Sequence, residues 1–395
     1  MASHTLTHLT CPVKIMPIVT EAVLAVASSD GFDRRRELQE FDDTKAGVKG
    51  LVDSGTKSIP AIFHHPPCSL PQGQERVTSA TGTDAAVPVI DLLAAPREEV
   101  VGLVRAAAET AGFFQVVNHG VPGQAMAAVL AAVRRFNEEP AEAKRPYYTR
   151  DTTTGKVRFY SNLDLFQSPA ACWRDTIFCD MAPEPPLPEE LPEALRGVLI
   201  EYADAVQKHA LWVFELLSES LGLAGDYLVR EMGCGESLKV AGNYYPPCPE
   251  PHLTLGNSRH TDPTFLTVLL QDAVGGLQVL LDHGGGRRGW VDVPPVPGAL
   301  IINVGDLLQL VSNGRFRSVE HRVLANKSTD AARVSVAAFV DVGRSMRLYG
   351  PIQELTSPHG ANPPIYRSVT IEDFIAHFYK KGSENRPRLD YFKLE

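Results

Sequence analysis

From Gly235 onward the chain breaks into short apolar runs, at residues 238–244, 264–270, 276–281, 289–293, 299–304, 307–311, 320–324 and 333–340. Gly275-Gly276, Gly284-Gly285-Gly286 and Asn313-Gly314 punctuate them as turns. Each run is short enough to be a strand. Successive strands of this kind pair antiparallel, and this many of them close into a sandwich or barrel such as a jelly roll.

The first part of the chain has a different texture. Residues 87–92 read as a short strand, 97–110 as a helix, and 112–117 as a buried strand turned by Asn118-His119-Gly120. Residues 123–138 form a second amphipathic helix, stopped at Pro140. A long helix is expected over 192–221, with Leu195, Leu199, Tyr202, Val206, Leu216 and Leu217 at helical spacing. Before residue 83 the chain reads as extension and linker: 34–51 is a surface helix, and 63–67 and 71–83 are irregular, rich in Pro, Gly and Ser. Residues 370–381 close the chain with a helix. The expected fold is mixed α/β, mainly β: a double-stranded β-helix (jelly roll) core, an N-terminal helical and strand region, and flanking helices. The division is an extension over 1–83, a helix-and-strand domain over 84–235, the jelly roll over 236–342 and a tail over 343–395.

Composition narrows the function classes. The 395 residues are 44% hydrophobic and 22% charged, the balance of a globular protein. Net charge is −9, and the basic runs Arg34-Arg35-Arg36 and Arg287-Arg288 are short. Nucleic acid and anionic membrane surfaces are therefore poor partners. No stretch reads as a membrane span. Residues 15–27 are moderately apolar but short, carry Pro17 and Glu21, and follow no cationic start, so secretion is not expected. A cytoplasmic location fits; the Ser-, Thr- and Ala-rich first thirty or so residues leave a plastid transit peptide as the alternative. The six cysteines have irregular spacing, which suits free thiols, not disulfides or zinc. His64 and His65 are expected at the surface, since nothing nearby completes a metal site. A monomer is expected, for want of an interface signal.

His260-Thr261-Asp262 is expected just before a strand. In extended chain, residues two apart project to one face, so an imidazole and a carboxylate can reach one ion. His321, at the start of a later strand, supplies a third ligand. Two His and one carboxylate with open positions form the facial triad of non-haem Fe(II) oxygenases, an ion site with room for O2. Alone, His-x-Asp is a common pattern. Arg333 and Ser335 add to it, because they share one face of an apolar strand. A guanidinium aimed into a barrel requires an anionic partner. The distal carboxylate of a dicarboxylic acid fits, with Ser335 as a second donor. The alternative is an internal ion pair, with Asp306 as the partner.

Several spaced segments resemble one family. Asn243-Tyr244-Tyr245-Pro246-Pro247-Cys248-Pro249, His260-Thr261-Asp262, Asn303-Val304-Gly305-Asp306, Glu320-His321-Arg322-Val323 and Arg333-Val334-Ser335 are similar in order and spacing to plant 2-oxoglutarate-dependent dioxygenases. Residues 87–92 and 112–122 resemble that family's N-terminal domain. The likeness spans about residues 84–380. It implies iron at His260, Asp262 and His321, and the C5 carboxylate of 2-oxoglutarate at Arg333 and Ser335. Tyr245 would add a hydroxyl contact and Asn243 would sit close by, although Tyr245 also reads as a core tyrosine before a Pro-Pro turn. Fe(II), 2-oxoglutarate and O2, with ascorbate as activator, are the implied cofactors; succinate and CO2 are the by-products.

The same likeness places the substrate-facing segment at Phe159 and Tyr160, within residues 155–166, and at Trp173-Arg174-Asp175, and Phe339 shares the Arg333 face. Aromatics there suit a planar or glucosylated aromatic substrate, although they serve cores equally well. Trp173, Arg174 and His119 read as structural. Residues 41–53 and 59–67 resemble the branch called ACC oxidase homologues, and within it grass dioxygenases acting on benzoxazinoid glucosides. The tail, with Lys380, Lys381, Arg386 and Arg388, lacks the basic helix motif of ACC oxidase itself. The competing readings are an ascorbate-dependent ACC-oxidase-like enzyme, a non-catalytic ligand binder on the same barrel, and a zinc hydrolase, which lacks an evident general base.

Overall fold

The computed structural model describes residues 33–71, 86–284, 287–343, 346–357, 360–380 and 388–394. The transit-peptide reading, most of the irregular 71–83 segment, Gly285-Gly286 and the tail residues Lys381 and Arg386 lie outside the described residues. In chain order the strands are β1 (Val89–Asp91), β2 (Phe113–Val117), β3 (Val157–Tyr160), β4 (Asp175–Ala182), β5 (Ser237–Tyr245) and β6 (Leu255–His260). They continue as β7 (Leu266–Gln271), β8 (Leu277–Asp282), β9 (Arg288–Asp292), β10 (Leu300–Val304), β11 (His321–Leu324) and β12 (Arg333–Asp341). One sheet has the order β1-β2-β10-β7-β12-β5-β4-β3, the other β6-β11-β8-β9. This is the jelly roll with flanking helices. Within these two sheets only the β1–β2 pair is parallel. Strands from both halves of the chain share the large sheet, since β4 pairs with β5 and β2 with β10.

Alternation along the strands builds the core. On β12, Val334, Val336, Ala338 and Val340 are buried against the helices Arg97–Thr110, Gly123–Glu138 and Val198–Ser220. The intervening Arg333, Ser335, Ala337 and Phe339 line a cavity between the two sheets. On β5, Leu238, Val240 and Tyr244 face the helices, while Ala241, Asn243 and Tyr245 face the cavity. Among the described residues, no helix is long and apolar enough to cross a membrane, and no disulfide occurs.

Several elements differ from the sequence reading. Residues 307–311 are not a strand but most of the helix Asp306–Val311. Leu307, Leu308, Leu310 and Val311 are all buried, and an apolar run that short satisfies either period. Strands β3, β4 and β6 were not anticipated, so His260 ends one strand as well as preceding another, β7, as expected. The long helix begins at Val198.

The expected surface helix over 34–51 is two helices, Arg34–Asp43 and Gly47–Asp53, separated at Lys45 and Gly47, both with positive φ. They are not superficial. Leu38, Phe41 and Val48 are buried with Ile59, Ile62, Phe63 and Trp173 in a third apolar cluster. His65 is likewise buried, its Nε2 3.2 Å from the Ala171 carbonyl oxygen. The Asp175 carboxylate anchors this layer by accepting the Val48 and Lys49 backbone N–H groups, each at 2.8 Å. A carboxylate at a helix N-terminus satisfies donors that the helix itself leaves open. Gly47 is required there, because a Cβ would lie 2.5 Å from Asp175 Oδ1. Asp175→Asn keeps the shape but removes an acceptor and the charge. It is expected to cost about 1–3 kcal/mol, read as a lower Tm; an unchanged Tm would show that the layer is held elsewhere.

Candidate metal and cosubstrate site

The three ligand candidates converge. His321 on β11 pairs directly with His260 on β6, which sets their rings 4.1 Å apart. Asp262 follows in the loop to β7. Its Oδ1 lies 3.6 Å from His260 Nε2 and 3.7 Å from His321 Nε2. All three ligand atoms lie within 4.8 Å of one another, and no other such group occurs among the described residues.

Each ligand is oriented by a second partner. His260 Nδ1 lies 2.7 Å from the Ser258 carbonyl oxygen and His321 Nδ1 lies 3.2 Å from that of Val319. An imidazole that donates through Nδ1 presents Nε2 as the lone pair. Burial, then the neighbouring His321, pushes the His260 pKa down to about 3, so the ring is a neutral ligand at pH 7. Asp262 Oδ2 accepts from Thr267 Oγ1 and Asn303 Nδ2, both at 2.6 Å, which leaves Oδ1 for the centre.

The turn after β10 holds the Asp262 loop. Backbone N–H groups of Gly305, Asp306 and Leu307 donate to the carbonyls of Phe265, Asp262 and Thr264 at 3.0, 2.8 and 3.2 Å. A Cβ on Gly305 would lie 1.9 Å from the Thr264 carbonyl oxygen, so the close approach requires glycine. Thr261 Oγ1 donates to Asp306 Oδ2 at 2.9 Å. This is why 306–311 is helical: a strand could not aim successive N–H groups at one loop. Two imidazoles and a carboxylate, with open space beside them, fit Fe(II).

The cavity, of about 200 Å³, continues from the triad to Arg333. Arg333 is 1% exposed. Its Nε donates to the Gly275 carbonyl, Nη1 to Ser335 Oγ at 3.3 Å and Nη2 to Gln271 Oε1 at 3.2 Å, and its Cζ lies 4.7 Å from the Tyr245 ring centre. Among the described residues no Asp or Glu pairs with it; Asp306 is held by Thr261 instead. Register sets Tyr245 opposite Arg333 and Asn243 opposite Ser335. Asn243 Oδ1 accepts from Thr176 Oγ1 at 3.0 Å. A buried cation flanked by a serine hydroxyl and open to the cavity fits the distal carboxylate of 2-oxoglutarate.

Of the expected wall residues, Tyr160 and Phe339 line the cavity. Phe159 does not. It packs on the opposite side of β3, 5.3 Å from Phe136 and 5.8 Å from Tyr148, because neighbouring strand residues face opposite ways. The sequence reading took Arg174 as structural and passed over Thr176 and Phe178; all three line the cavity from β4 and the residue before it. Their period of two was visible, but β4 itself was not. His119 is tied to backbone at both ring nitrogens, with Gly298 and Val121. If Asn303 orients Asp262, Asn303→Ala should weaken Fe(II) binding by about 10–100-fold in an anaerobic titration. Wild-type affinity would dismiss that role.

Residues 238–342 match the 2OG-Fe(II) oxygenase superfamily, and residues 87–197 match the N-terminal region described as non-haem dioxygenase in morphine synthesis. The chain is 47% identical over 369 residues to 1-aminocyclopropane-1-carboxylate oxidase homolog 1 of Arabidopsis thaliana, covering 92% of this chain and 97% of that protein. It is 45% identical to deacetoxyvindoline 4-hydroxylase of Catharanthus roseus, covering 91% and 89%. Among solved structures, JOX2 in complex with 2OG, Fe and JA aligns with a TM-score of 0.76 and 32% identity, covering 88% of this chain and 98% of that one. The chain therefore belongs to the 2OG-Fe(II) oxygenase superfamily and is a 2-oxoglutarate-dependent dioxygenase that uses Fe(II).

Proposed function

We propose that this dioxygenase hydroxylates, or oxidatively demethylates, a small aromatic plant specialised metabolite, with benzoxazinoid glucosides among the candidates. His260, Asp262 and His321 hold Fe(II). Arg333 and Ser335 grip the C5 carboxylate of 2-oxoglutarate, with the Tyr245 hydroxyl and Asn243 beside it. Bound iron, 2-oxoglutarate and O2 supply the oxidising power, with succinate and CO2 released and ascorbate as activator. The protein's own work is to orient the substrate C–H bond and exclude water.

The observation that carries this reading is the Arg333 guanidinium, buried and without a carboxylate partner among the described residues, in the same cavity as the triad. A dicarboxylate can meet that charge with one end while its other end faces the triad in the same cavity. The aromatic wall, where Phe178 and Phe339 stack with centroids 6.4 Å apart, suits a planar substrate. The likeness to a 4-hydroxylase favours hydroxylation. We assign the enzyme to the cytoplasm as a monomer; the buried free thiols Cys172, Cys179, Cys234 and Cys248 suit a reducing compartment.

Anaerobically iron-loaded protein, screened against phenolics and aromatic glucosides, should release succinate with its substrate. Arg333→Ala should raise the 2-oxoglutarate KM by about tenfold or more, the scale of a lost charge-assisted hydrogen bond, while Fe(II) affinity stays near wild type. Failure of the wild-type protein to bind 2-oxoglutarate, or an unchanged KM in Arg333→Ala, would sink this reading.

A further inference from the structure

Two arginines line the cavity among the described residues, and 2-oxoglutarate accounts for one of them. The other, Arg174, stands in the tripeptide Trp173-Arg174-Asp175, whose three side chains point to three environments. Trp173 is fully buried, 5.1 Å edge-on from Phe63, with Nε1 donating to the Pro247 carbonyl at 3.3 Å. Asp175 is fully buried and caps the helix Gly47–Asp53. With its neighbours clamped on the core side, Arg174 is turned to the cavity side together with Thr176 and Phe178.

The guanidinium has no matching charge. Its Nε makes no hydrogen bond, and no Asp or Glu among the described residues pairs with it. The two acids lining the cavity are otherwise engaged. Asp262 faces the two histidines, Thr267 and Asn303, and Asp164 accepts from Ser168 Oγ. The guanidinium donates to the Tyr245 hydroxyl, which supplies a hydrogen-bond acceptor but no carboxylate. Arg174 is half-buried, and a cation turned into a cavity without an anion is disfavoured to the extent that it loses water. Arg333 meets that cost with the cosubstrate, and a second cation in the same cavity calls for a second anion.

Phe178 lies four residues from Arg174 on the same face, about 13 Å along the strand, a span that the long arginine side chain can shorten. It stacks on Phe339 and so forms an apolar wall beside the cation. That spacing leaves room for an aromatic ring whose extended arm ends in an anionic group. We propose that the substrate is a planar aromatic carboxylate, its ring against Phe178 and Phe339 and its carboxylate on Arg174. This rests on the function proposed above, which it narrows to an acidic substrate class.

The test is calorimetric and independent of turnover. Protein loaded anaerobically with Fe(II) is first titrated with 2-oxoglutarate, then with cinnamate and 4-phenylbutyrate, each against its neutral amide. The acids should bind about tenfold tighter than the amides. Arg174→Gln should abolish that preference without changing the affinity for 2-oxoglutarate or the amides, and Arg174→Lys should restore part of it. Equal affinity for acid and amide, or binding of neither, overturns the proposal. So does an Arg174→Gln protein that keeps the acid preference, or one that loses 2-oxoglutarate affinity instead. Failure of the wild-type protein to bind 2-oxoglutarate in the first titration counts against the proposed function, not against the role of Arg174.

Discussion

β12 lies between β5 and β7, and its register sets Arg333 opposite Tyr245 and Ser335 opposite Asn243. The same register sends Val334, Val336, Ala338 and Val340 to the helices. A slip of one residue would exchange the two faces, placing a guanidinium in the apolar core and valines in the cavity. Core and site are thus held in one arrangement by one constraint. The burial of four apolar side chains at roughly 25 cal/mol per Å² secures the orientation of the polar ones between them.

The metal centre depends on the other sheet and on a clamp between the two. Cross-strand pairing of His260 and His321 brings two candidate ligands together. The third belongs to a loop, which has no pairing of its own to hold it. Three backbone donors from the turn at Gly305 supply what the loop lacks, and Thr267 and Asn303 fix the carboxylate. Asn303 and Gly305 act on the centre through Asp262.

The N-terminal layer contributes at a distance. Its helices cover Trp173 and are pinned by Asp175, so the segment over 34–53 helps hold the strand that carries Arg174, Thr176 and Phe178 to the cavity. In sequence it looked like an extension, because its apolar positions are few and its charge is high. Burial of Leu38, Phe41 and Val48 is decided by a partner surface more than a hundred residues away.

The sequence by itself determined the jelly roll, through turn residues spaced between short apolar runs, and pointed to His260, Asp262, His321, Arg333 and Ser335, through residue types that have few other uses in such positions. Those features are local: a period of two and a motif can be read without knowing what lies opposite. Tertiary structure decided whatever depended on a partner. It made 306–311 a helix because a loop needed its N–H groups, and it turned Phe159 into the core while leaving Tyr160 in the cavity. It also placed Arg174 in the cavity with no acid of its own among the described residues. A charge is unmatched only in relation to its neighbours in space, and those are set by folding.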